Sequence, residues 1–285
     1  MPVIAFATFC AEPELQPDDA PIARELRRLG AEVRPLPWNG PFEPFAECDL
    51  VAVRSTWDYA ETPHEFLAWL QQLERAHIET TNPPSVMRWN ACKDYLLDLG
   101  ARGAPLAPTR KVAPDAAAIR AAMLELGLDE AVVKPVFGAG ASGLSIVRAA
   151  DAQGLDTAAD ALQYDGLLQP LVPEIRTVGE ASLTFIGAEF SHAAIKRAAP
   201  GSILIHAEHG GSTAPFTPTE EQLDVAREVL RTLPEPYDYA RVDLVPAAAG
   251  PVLMEVELIE PELFVIHGEG AAQRFAKFLL ARAAR

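Results

Sequence analysis

The sequence is poor in basic residues and in long apolar runs, and each shortage excludes a class of partner. Its 285 residues include 24 lysines and arginines but 40 aspartates and glutamates, for a net charge of −16. A surface of this sign repels nucleic acid and anionic membranes, so we expect neither as a partner. No apolar stretch approaches the roughly 20 residues that span a bilayer. Residues 1–10 lack the basic flank of a signal peptide and are expected to form a first strand.

Cysteine and several nucleotide-binding motifs are also scarce or missing. The three cysteines, Cys10, Cys48 and Cys92, are odd in number and form no pair with metal-binding spacing. This pattern is typical of reduced thiols in a cytoplasmic protein. No Lys-Ser/Thr follows the glycine-rich stretch at 138–143, and no His-Arg-Asp or Asp-Phe-Gly element occurs. We therefore expect a cytoplasmic globular protein that is neither a Walker A NTPase nor a protein kinase.

Strands and helices alternate along roughly the first 80 residues. The pattern predicts strands at 3–8, 32–36 and 49–53 and helices at 19–30 and 65–76. Such alternation favours a small parallel, doubly wound sheet, in which ligands bind beyond the carboxyl ends of the strands.

Short strands predominate in the rest of the chain, after a predicted linker helix at 90–100. The predicted strands lie at 131–136, 144–148, 166–172, 181–186, 190–197 and 202–206, and the helices at 115–126, 220–233 and 271–283. Several hairpins with segregated helices indicate an α+β arrangement. The fold class is therefore predicted to be α/β in the first part of the chain and α+β in the remainder.

An acidic cluster is predicted on a β-hairpin near the C-terminus. Two alternating apolar strands flank a Pro/Gly-rich break, and a turn near Ala249 places Asp243 opposite Glu255 and Arg241 opposite Glu257. Because strand side chains repeat every second residue, all four would point to one face. A divalent cation would neutralise the acids, and Mg²⁺ is usually shared between carboxylates and phosphates. The alternative is a solvated face with cross-strand charge pairs.

A lysine and a glycine-rich stretch form a second signal. Lys134 ends a β-prone segment, and 138–143 matches the pattern G-x-G-x-x-G. That pattern marks a dinucleotide site only where a helix follows, and here the β-branched segment 144–148 follows instead. The glycines are therefore expected at the tip of a hairpin, either as a lid whose backbone N–H groups cover phosphates or as a tight turn.

Three further segments offer polar groups. The segment 54–59 follows a predicted parallel strand and is either a ligand-binding cluster or a packing loop. The proline-interrupted segment 167–174 suits recognition of a purine edge or a plain connection between lobes. Lys196 and Arg197 place two cations on a strand of an acidic protein.

Taken in their order along the chain, these motifs resemble those of the ATP-grasp superfamily. The resemblance is strongest to its glutathione-synthetase-like and RimK-like carboxylate–amine ligases. More narrowly, 53–59, with Trp89-Asn90 and 261–264, is similar to the ATP-grasp cyclo-ligases that convert O-ureido-D-serine to D-cycloserine. The resemblance implies a small N-terminal pre-ATP-grasp domain and two lobes that clasp ATP. The implied boundaries are 1–85 for the N-terminal domain, 86–170 for the linker helix and central lobe, and 171–285 for the C-terminal lobe with the metal site.

The resemblance also implies a role for each matching residue. Nucleotide binding is implied for Lys93, Lys134, Gly138, Gly140, Ser142, Gly143, Gln169, Leu171, Val172, Glu180, Lys196 and Arg197. Catalysis is implied for Arg241 and Lys196, and binding of two Mg²⁺ ions for Asp243, Glu255 and Glu257. Substrate binding is expected of Arg54, Ser55, Thr56, Asp58, Tyr59, His206, Gly211 and Ser212. Relatives commonly have Asn in place of Glu257, so this chain has an additional negative charge there.

The implied activity is that of an ADP-forming, Mg²⁺-dependent ligase of antibiotic biosynthesis. ATP would convert a small amino-acid-like carboxylate into an acylphosphate that an amine attacks, either in the same molecule, as in D-cycloserine formation, or in a second one. A nucleotide-binding protein without catalysis is the alternative from another class. Dimers are usual among similar proteins, so a homodimer is expected.

Overall fold

A computed structural model describes residues 1–140, 142–205 and 210–284. The strands are β1 (Val3–Thr8), β2 (Glu32–Pro37), β3 (Leu50–Val53), β4 (Thr80–Thr81), β5 (Arg110–Val112), β6 (Glu130–Pro135), β7 (Ser145–Arg148), β8 (Gly166–Pro170), β9 (Glu180–Ile186), β10 (Glu189–Arg197), β11 (Ser212–Phe216), β12 (Tyr239–Ala247) and β13 (Gly250–Glu257). The helices are α1 (Ala20–Arg28), α2 (Pro63–Arg75), α3 (Pro84–Asn90), α4 (Tyr95–Ala101), α5 (Ala116–Leu126), α6 (Ala152–Asp160), α7 (Glu220–Arg231) and α8 (Ala271–Ala283).

The first sheet is parallel, in the order β2-β1-β3-β4. Its strands alternate their apolar side chains between two cores. Ile4 and Phe6 of β1 pack with α1 and with the C-terminal helix α8, whereas Ala5 and Ala7 pack toward α2. Helices therefore cover both faces, as the strand–helix alternation predicts, and the last helix of the chain completes the core of the first sheet.

Two antiparallel sheets follow, with the orders β5-β8-β6-β7 and β11-β10-β9-β12-β13. Helices α5 and α6 pack on the smaller sheet, and α7 packs on the larger one. Leu96 and Leu99 of α4 enter the core of the larger sheet as well, so the connection between the parallel sheet and the antiparallel ones is held against β13.

The structure differs from the predicted elements at several places. The helix expected at 90–100 begins only at Tyr95, as α4, and the unpredicted helix α3 ends at Asn90, whose side chain bonds with Val256 and Leu258. Residues 202–205, expected in a strand, are not in one, and residue 206 lies outside the described part; the partner of β10 is the unpredicted strand β11. The short strands β4 and β5 and the helix α6 were also not predicted.

Asn82 joins the parallel sheet to the larger antiparallel sheet. Its side-chain nitrogen donates to the carbonyl oxygens of Tyr239 at 2.8 Å and Leu258 at 2.7 Å. Its side-chain oxygen accepts from the backbone N–H of Asp238 and, at 3.1 Å, from that of Tyr239. Asn82 is fully buried, so each of these groups would lack a partner if the amide were lost.

We expect Asn82→Asp to lower the free energy of unfolding by about 2–4 kcal/mol, because a carboxylate would face two buried carbonyl oxygens that now accept from an amide. Urea unfolding measures the change. The matched amide-to-acid control is Gln71→Glu, on the exposed side of α2, which should stay within about 0.5 kcal/mol of the parent protein. Equal small effects would show that Asn82 does not hold the two sheets together.

Candidate functional site

The β12–β13 hairpin brings the four predicted charged side chains together. Arg241 lies opposite Glu257 and Asp243 lies opposite Glu255. All four side chains line one cavity, so the register that the sequence predicted at the acids is confirmed.

The hairpin reaches this register by a different path from the predicted one. Ala247 pairs with Gly250, so the turn is centred between Ala248 and Ala249. The pairing then shifts by one residue between Asp243 and Leu244, and Met254 is the extra residue on β13. A β-bulge of this kind re-aims the side chains that follow it. Without the bulge, the same turn would pair Asp243 with Met254 and place the two glutamates on the opposite face.

Side-chain hydrogen bonds hold the free edge of β13. The Asn90 side-chain nitrogen donates to the carbonyl oxygen of Val256 at 2.8 Å, and the N–H of Val256 donates to the Tyr95 hydroxyl at 3.1 Å. The side chain of Val256 is buried in the core. Alternation along the strand therefore turns Glu255 and Glu257 the other way, into the cavity.

Asp243 lies at the centre of a buried ionic network. Arg241 donates to it through Nε at 3.0 Å and Nη2 at 2.8 Å, and Lys196 donates at 3.0 Å. Lys196 also pairs with Glu180 at 2.7 Å, and Arg241 with Glu257. Burial alone would raise the pKa of Asp243, but Arg241 and Lys196 outweigh it and hold that pKa well below the usual range. Asp243 is therefore ionised at any physiological pH.

The two glutamates of β13 differ in charge state. Burial opposes ionisation of Glu255, but its ion pair with Lys93 and the nearby charge of Lys134 lower its pKa. Burial raises the pKa of Glu257 to about 7, since the opposing effect of Arg241 is countered by the neighbouring acids. The site therefore holds more acid than its own cations neutralise.

Asp243, Glu255 and Glu257 fit a divalent metal ion. Each offers one carboxylate oxygen, and these oxygens lie within 4.8 Å of one another. An all-oxygen, carboxylate-rich donor set suits Mg²⁺, which is usually held by one or two carboxylates together with substrate phosphates. A bound Mg²⁺ would favour the ionised form of Glu257 and so lower its pKa.

A cavity of about 790 Å³ surrounds this cluster. It is lined from one side by β6 and β8 of the smaller sheet and from the other by β9, β10, β12 and β13 of the larger one. The predicted residues that line it are Tyr59, Lys93, Lys134, Gly138, Gly140, Ser142, Gly143, Gln169, Leu171, Val172, Glu180, Lys196, Arg241, Asp243, Glu255 and Glu257. Its volume lies within the range of ligand pockets, which is about 300–1,000 Å³.

Lys134 is a cation in this cavity without an ionic partner. Its Nζ donates to the carbonyl oxygen of Met254 at 3.3 Å, and no carboxylate of the described residues forms an ion pair with it. Burial lowers its pKa to about 8, with Lys93 adding to the effect and Glu255 opposing it. An anionic ligand would supply the missing charge and restore its pKa.

Several residues predicted to bind substrate or nucleotide are not among the described residues that line the cavity. Arg54 is buried and donates to Asp19 at 2.7 Å and to the carbonyl oxygen of Pro261 at 3.0 Å. Asp19 is the N-cap residue of α1, but its side chain makes no capping hydrogen bond. Ser55 and Thr56 are also buried, and their hydroxyls have no hydrogen-bond partner among the described residues. The substrate-binding role of these residues stays a prediction.

The other predicted residues are also absent from the cavity lining, as far as the structure describes it. Asp58 accepts from Trp38 at 2.6 Å and from Asn39 at 2.7 Å. Arg197 is exposed, since it follows Lys196 on β10 and alternation turns it the other way. Ser212 is the first residue of β11 and Gly211 precedes it. Neither lines the cavity in the part of the chain that the structure describes. His206 lies outside the described residues.

The segment 260–265, which follows β13, is a part of the site that sequence reasoning used only as a family resemblance. Asp18 accepts from the N–H groups of Leu263 and Val265, both at 2.8 Å. Trp57 donates to the carbonyl oxygen of Glu260 at 3.3 Å. Residues of the first part of the chain therefore hold this segment against the cavity.

The segment 260–265 supplies cavity residues in turn. The carbonyl oxygen of Glu262 accepts from Arg241 at 3.0 Å, and the ring of Phe264 lies 5.5 Å from the Arg241 guanidinium. The side chain of Glu260 lines the cavity, and burial together with Glu257 raises its pKa to about 8. The one sequence signal was a pair of glutamates placed directly after an acidic strand.

Sequence reasoning also missed the apolar wall of the cavity. Ile175, Ile205 and Met254 pack near Leu171 and Val172 and line the same space. An apolar wall beside charged groups is what a planar, partly apolar ligand requires. Ile175 lies in a short 3-10 helix, Ile205 outside any helix or strand and Met254 at the bulge of β13, so no shared pattern along the sequence marks them as one wall.

Comparison with known proteins identifies relatives of the whole chain. The family model of the N-terminal domain of D-cycloserine synthetase DcsG matches residues 4–82. The cycloserine biosynthesis protein DcsG of Streptomyces lavendulae is 30% identical over 302 residues, covering 99% of this chain and 99% of that protein.

Solved structures show the same similarity. The crystal structure of D-cycloserine synthetase DcsG matches with a TM-score of 0.86 at 30% identity, covering 99% of both chains. D-alanine–D-alanine ligase of Bacillus anthracis matches with a TM-score of 0.73 at 13% identity, over 99% of this chain and 97% of that one. A RimK domain ATP-grasp protein of Sphaerobacter thermophilus matches with a TM-score of 0.72 at 17% identity, over 98% of this chain and 99% of that one. The last two matches show the fold alone. Separately, no helix in the described part of the chain is long and apolar enough to cross a membrane.

We expect Glu257→Gln to have opposite effects in the absence and presence of Mg²⁺. When folding raises the pKa of a carboxyl group, the free energy of unfolding falls as the pH rises above the pKa that the group has in the unfolded chain. The reason is that the folded state then holds a proton that the unfolded state releases. At pH 8 and without Mg²⁺, the amide should therefore raise the free energy of unfolding by about 1–2 kcal/mol. Mg²⁺ should stabilise the variant less than the parent, since a charged oxygen ligand is lost.

Thermal unfolding at pH 8, with and without millimolar Mg²⁺, measures both effects. Glu269→Gln is the charge-matched control, since Glu269 is exposed and outside the cavity lining, and it should respond to Mg²⁺ as the parent does. An equal response of Glu257→Gln and the parent would remove Glu257 from the metal site.

We expect Arg54→Met to lower the free energy of unfolding by about 3–5 kcal/mol, because the buried Asp19 would lose its cation. Urea unfolding measures the loss. Arg28→Met is the control, since Arg28 pairs with Glu25 on an exposed face and its loss should cost about 0–1 kcal/mol. A similar small loss for both variants would contradict the role of Arg54 in holding the segment 260–265.

Proposed function

Because the chain belongs to the ATP-grasp ligases related to D-cycloserine synthetase DcsG, we propose that it closes an amino-acid-like carboxylate onto a nitrogen of the same molecule. The protein is an ATP-dependent carboxylate–amine ligase, and the ATP-grasp resemblance and the mixed α/β fold class predicted from its sequence are confirmed. Conversion of O-ureido-D-serine to D-cycloserine is the reaction we propose, on the strength of 30% identity to DcsG along 99% of the chain.

A single arrangement in the structure supports this proposal most strongly. Lys134, a partly buried cation without a carboxylate partner among the described residues, shares one cavity with the carboxylates of Asp243, Glu255 and Glu257. The cation suits a phosphate, and the acids suit the metal ions that accompany a triphosphate. Without such a ligand, the positive charge of Lys134 has no ion-pair partner among the described residues, and the three acids have no metal ion to share.

We propose the following roles for the residues around ATP. Lys93 and Lys134 would bind phosphate oxygens, with the glycines of 138–143 closing over them. The segment 169–172 and the apolar wall would hold the adenine, and Glu180 would accept from the ribose. Mg²⁺, in the proposed stoichiometry of two ions, would neutralise the charge of the transferring phosphoryl group.

Phosphoryl transfer depends mainly on positioning and charge neutralisation. Arg241 is fixed from three sides, by Asp243, by Glu257 and by the carbonyl oxygen of Glu262. We propose that its guanidinium stabilises the charge that develops as the substrate carboxylate becomes an acylphosphate. Closure of the cavity would then keep water from the acylphosphate until the nitrogen attacks.

We also propose the division of the chain at residues 85 and 170 that its sequence suggested. The separate sheets support it, because β1–β4, β5–β8 and β9–β13 each lie within one of the three parts. The helix α8 departs from this division, since it packs on the first sheet. The homodimer and the cytoplasmic location stay predictions.

Purified protein with ATP, Mg²⁺ and O-ureido-D-serine should release ADP and phosphate and form D-cycloserine. Glu255→Gln should lower the rate by at least about 100-fold, because it removes a metal ligand and the partner of Lys93. Coupled assays measure ADP and phosphate, and Glu269→Gln is again the matched control. Release of AMP and pyrophosphate would contradict the acylphosphate route.

Mass spectrometry separates this function from its alternatives. Ring closure consumes the nucleophile within one molecule, and from O-ureido-D-serine it also requires hydrolysis of the carbamoyl group, in which one water molecule releases that group as ammonia and carbon dioxide. A ligase that joins two molecules would yield a heavier product. Binding of ATP without turnover of any amino acid would instead favour a non-catalytic protein.

A further inference from the structure

Glu260 is an acid in the cavity that the proposed nucleotide and metal sites do not use. It is 7% exposed and lines the cavity. No cation of the described residues forms an ion pair with its carboxylate. Burying an ionised carboxylate without a cation costs free energy. We therefore expect a ligand of opposite charge to pair with Glu260 when its carboxylate is ionised.

The nearby cations have other partners. Lys93 pairs with Glu255, and Arg241 pairs with Asp243 and Glu257. Lys196 in turn pairs with Glu180 and Asp243, and Arg54 pairs with Asp19. Lys134, which has no ion pair among the described residues, donates to the carbonyl oxygen of Met254. No described cation therefore pairs with Glu260, and a cationic ligand would supply the missing charge.

The backbone at Glu260 is held in place. Trp57 donates to its carbonyl oxygen, and Arg54 donates to that of the next residue, Pro261. Asp18 accepts from the N–H of Leu263. A carboxylate on such a support is placed for recognition without a large loss of conformational entropy when a ligand binds.

Glu260 follows the metal-binding strand along the chain. Lys134 donates to the carbonyl oxygen of Met254, and the metal-binding residues Glu255 and Glu257 come next. Glu260 lies in the bend after the end of β13 and lines the same cavity. It is therefore available to a ligand beside the metal-binding acids without being one of the proposed metal ligands.

We infer that Glu260 binds the α-ammonium group of an amino-acid substrate whose carboxylate lies beside the metal acids. The inference rests on the proposed function and specifies its substrate class: a free α-amino acid rather than an N-acylated or amine-free acid. Trp57 and Tyr59 line the same cavity, and their rings would favour a cation there.

The variant Glu260→Gln tests the inference, because it keeps the shape of the side chain and removes its charge. The probes are O-ureido-D-serine and D-serine, each compared with the counterpart in which hydrogen replaces the α-amino group. Calorimetry with ADP and Mg²⁺ present measures binding, and ADP release with ATP measures turnover. Glu269→Gln is the charge-matched control.

The parent protein should bind each α-amino acid at least tenfold more tightly than its amine-free counterpart. In Glu260→Gln this preference should fall at least tenfold, while the affinity for ADP with Mg²⁺ stays within about twofold of the parent. A merely structural role would weaken both members of a pair equally and leave the preference unchanged.

Three outcomes would overturn the inference: an unchanged preference in Glu260→Gln, no binding of either α-amino acid to the parent, or a variant whose main defect is in Mg²⁺ dependence. The last would assign Glu260 to the metal ions. Failure of the proposed function is distinguishable, because it appears as binding of the α-amino acids to the parent, with the preference intact, but without release of ADP.

Discussion

The register of the β12–β13 hairpin is the constraint on which the site depends. A shift of one residue would turn Glu255 and Glu257 into the core and bring Val256 into the cavity. Three features maintain the register: the extra residue Met254, the hydrogen bonds from Asn90 and Tyr95 to the strand edge, and the burial of Val256. The connection after the first sheet therefore has a direct part in the chemistry, because it supplies two of these bonds.

Most charged side chains at the centre of the cavity are paired. Asp243, Arg241, Lys196 and Glu180 neutralise one another in a continuous network. Lys134 and Glu260 have no ion pair among the described residues and line the same cavity as the metal-binding acids. The cavity therefore offers a cation for an anionic ligand and an acid for a cationic one beside those acids. A nucleotide and a zwitterionic amino acid would meet there.

Much of this arrangement was predictable from short-range patterns. Alternation and turn residues are sufficient to place Asp243 opposite Glu255, and a lysine before a glycine-rich turn marks Lys134. The bulge at Met254 was not predictable. It shifts the pairing by one residue and so offsets the position of the turn, and the sequence of the turn does not determine where its centre lies. Likewise, Arg54 was expected at a ligand from its position after a strand, and the ion pair with Asp19 depends on a long-range contact that no local pattern encodes.

The segment 260–265 belongs to the last part of the chain, but its position depends on residues of the first part. Its backbone is held by Asp18, Arg54 and Trp57 from the first part, and its residues Glu260, Glu262 and Phe264 line the cavity between the two antiparallel sheets. Exchange of the N-terminal domain between relatives would therefore disturb the wall that faces the substrate, even where every residue of that wall is kept. A chimera that retains its specificity would need to transfer these anchoring residues together with the segment they hold.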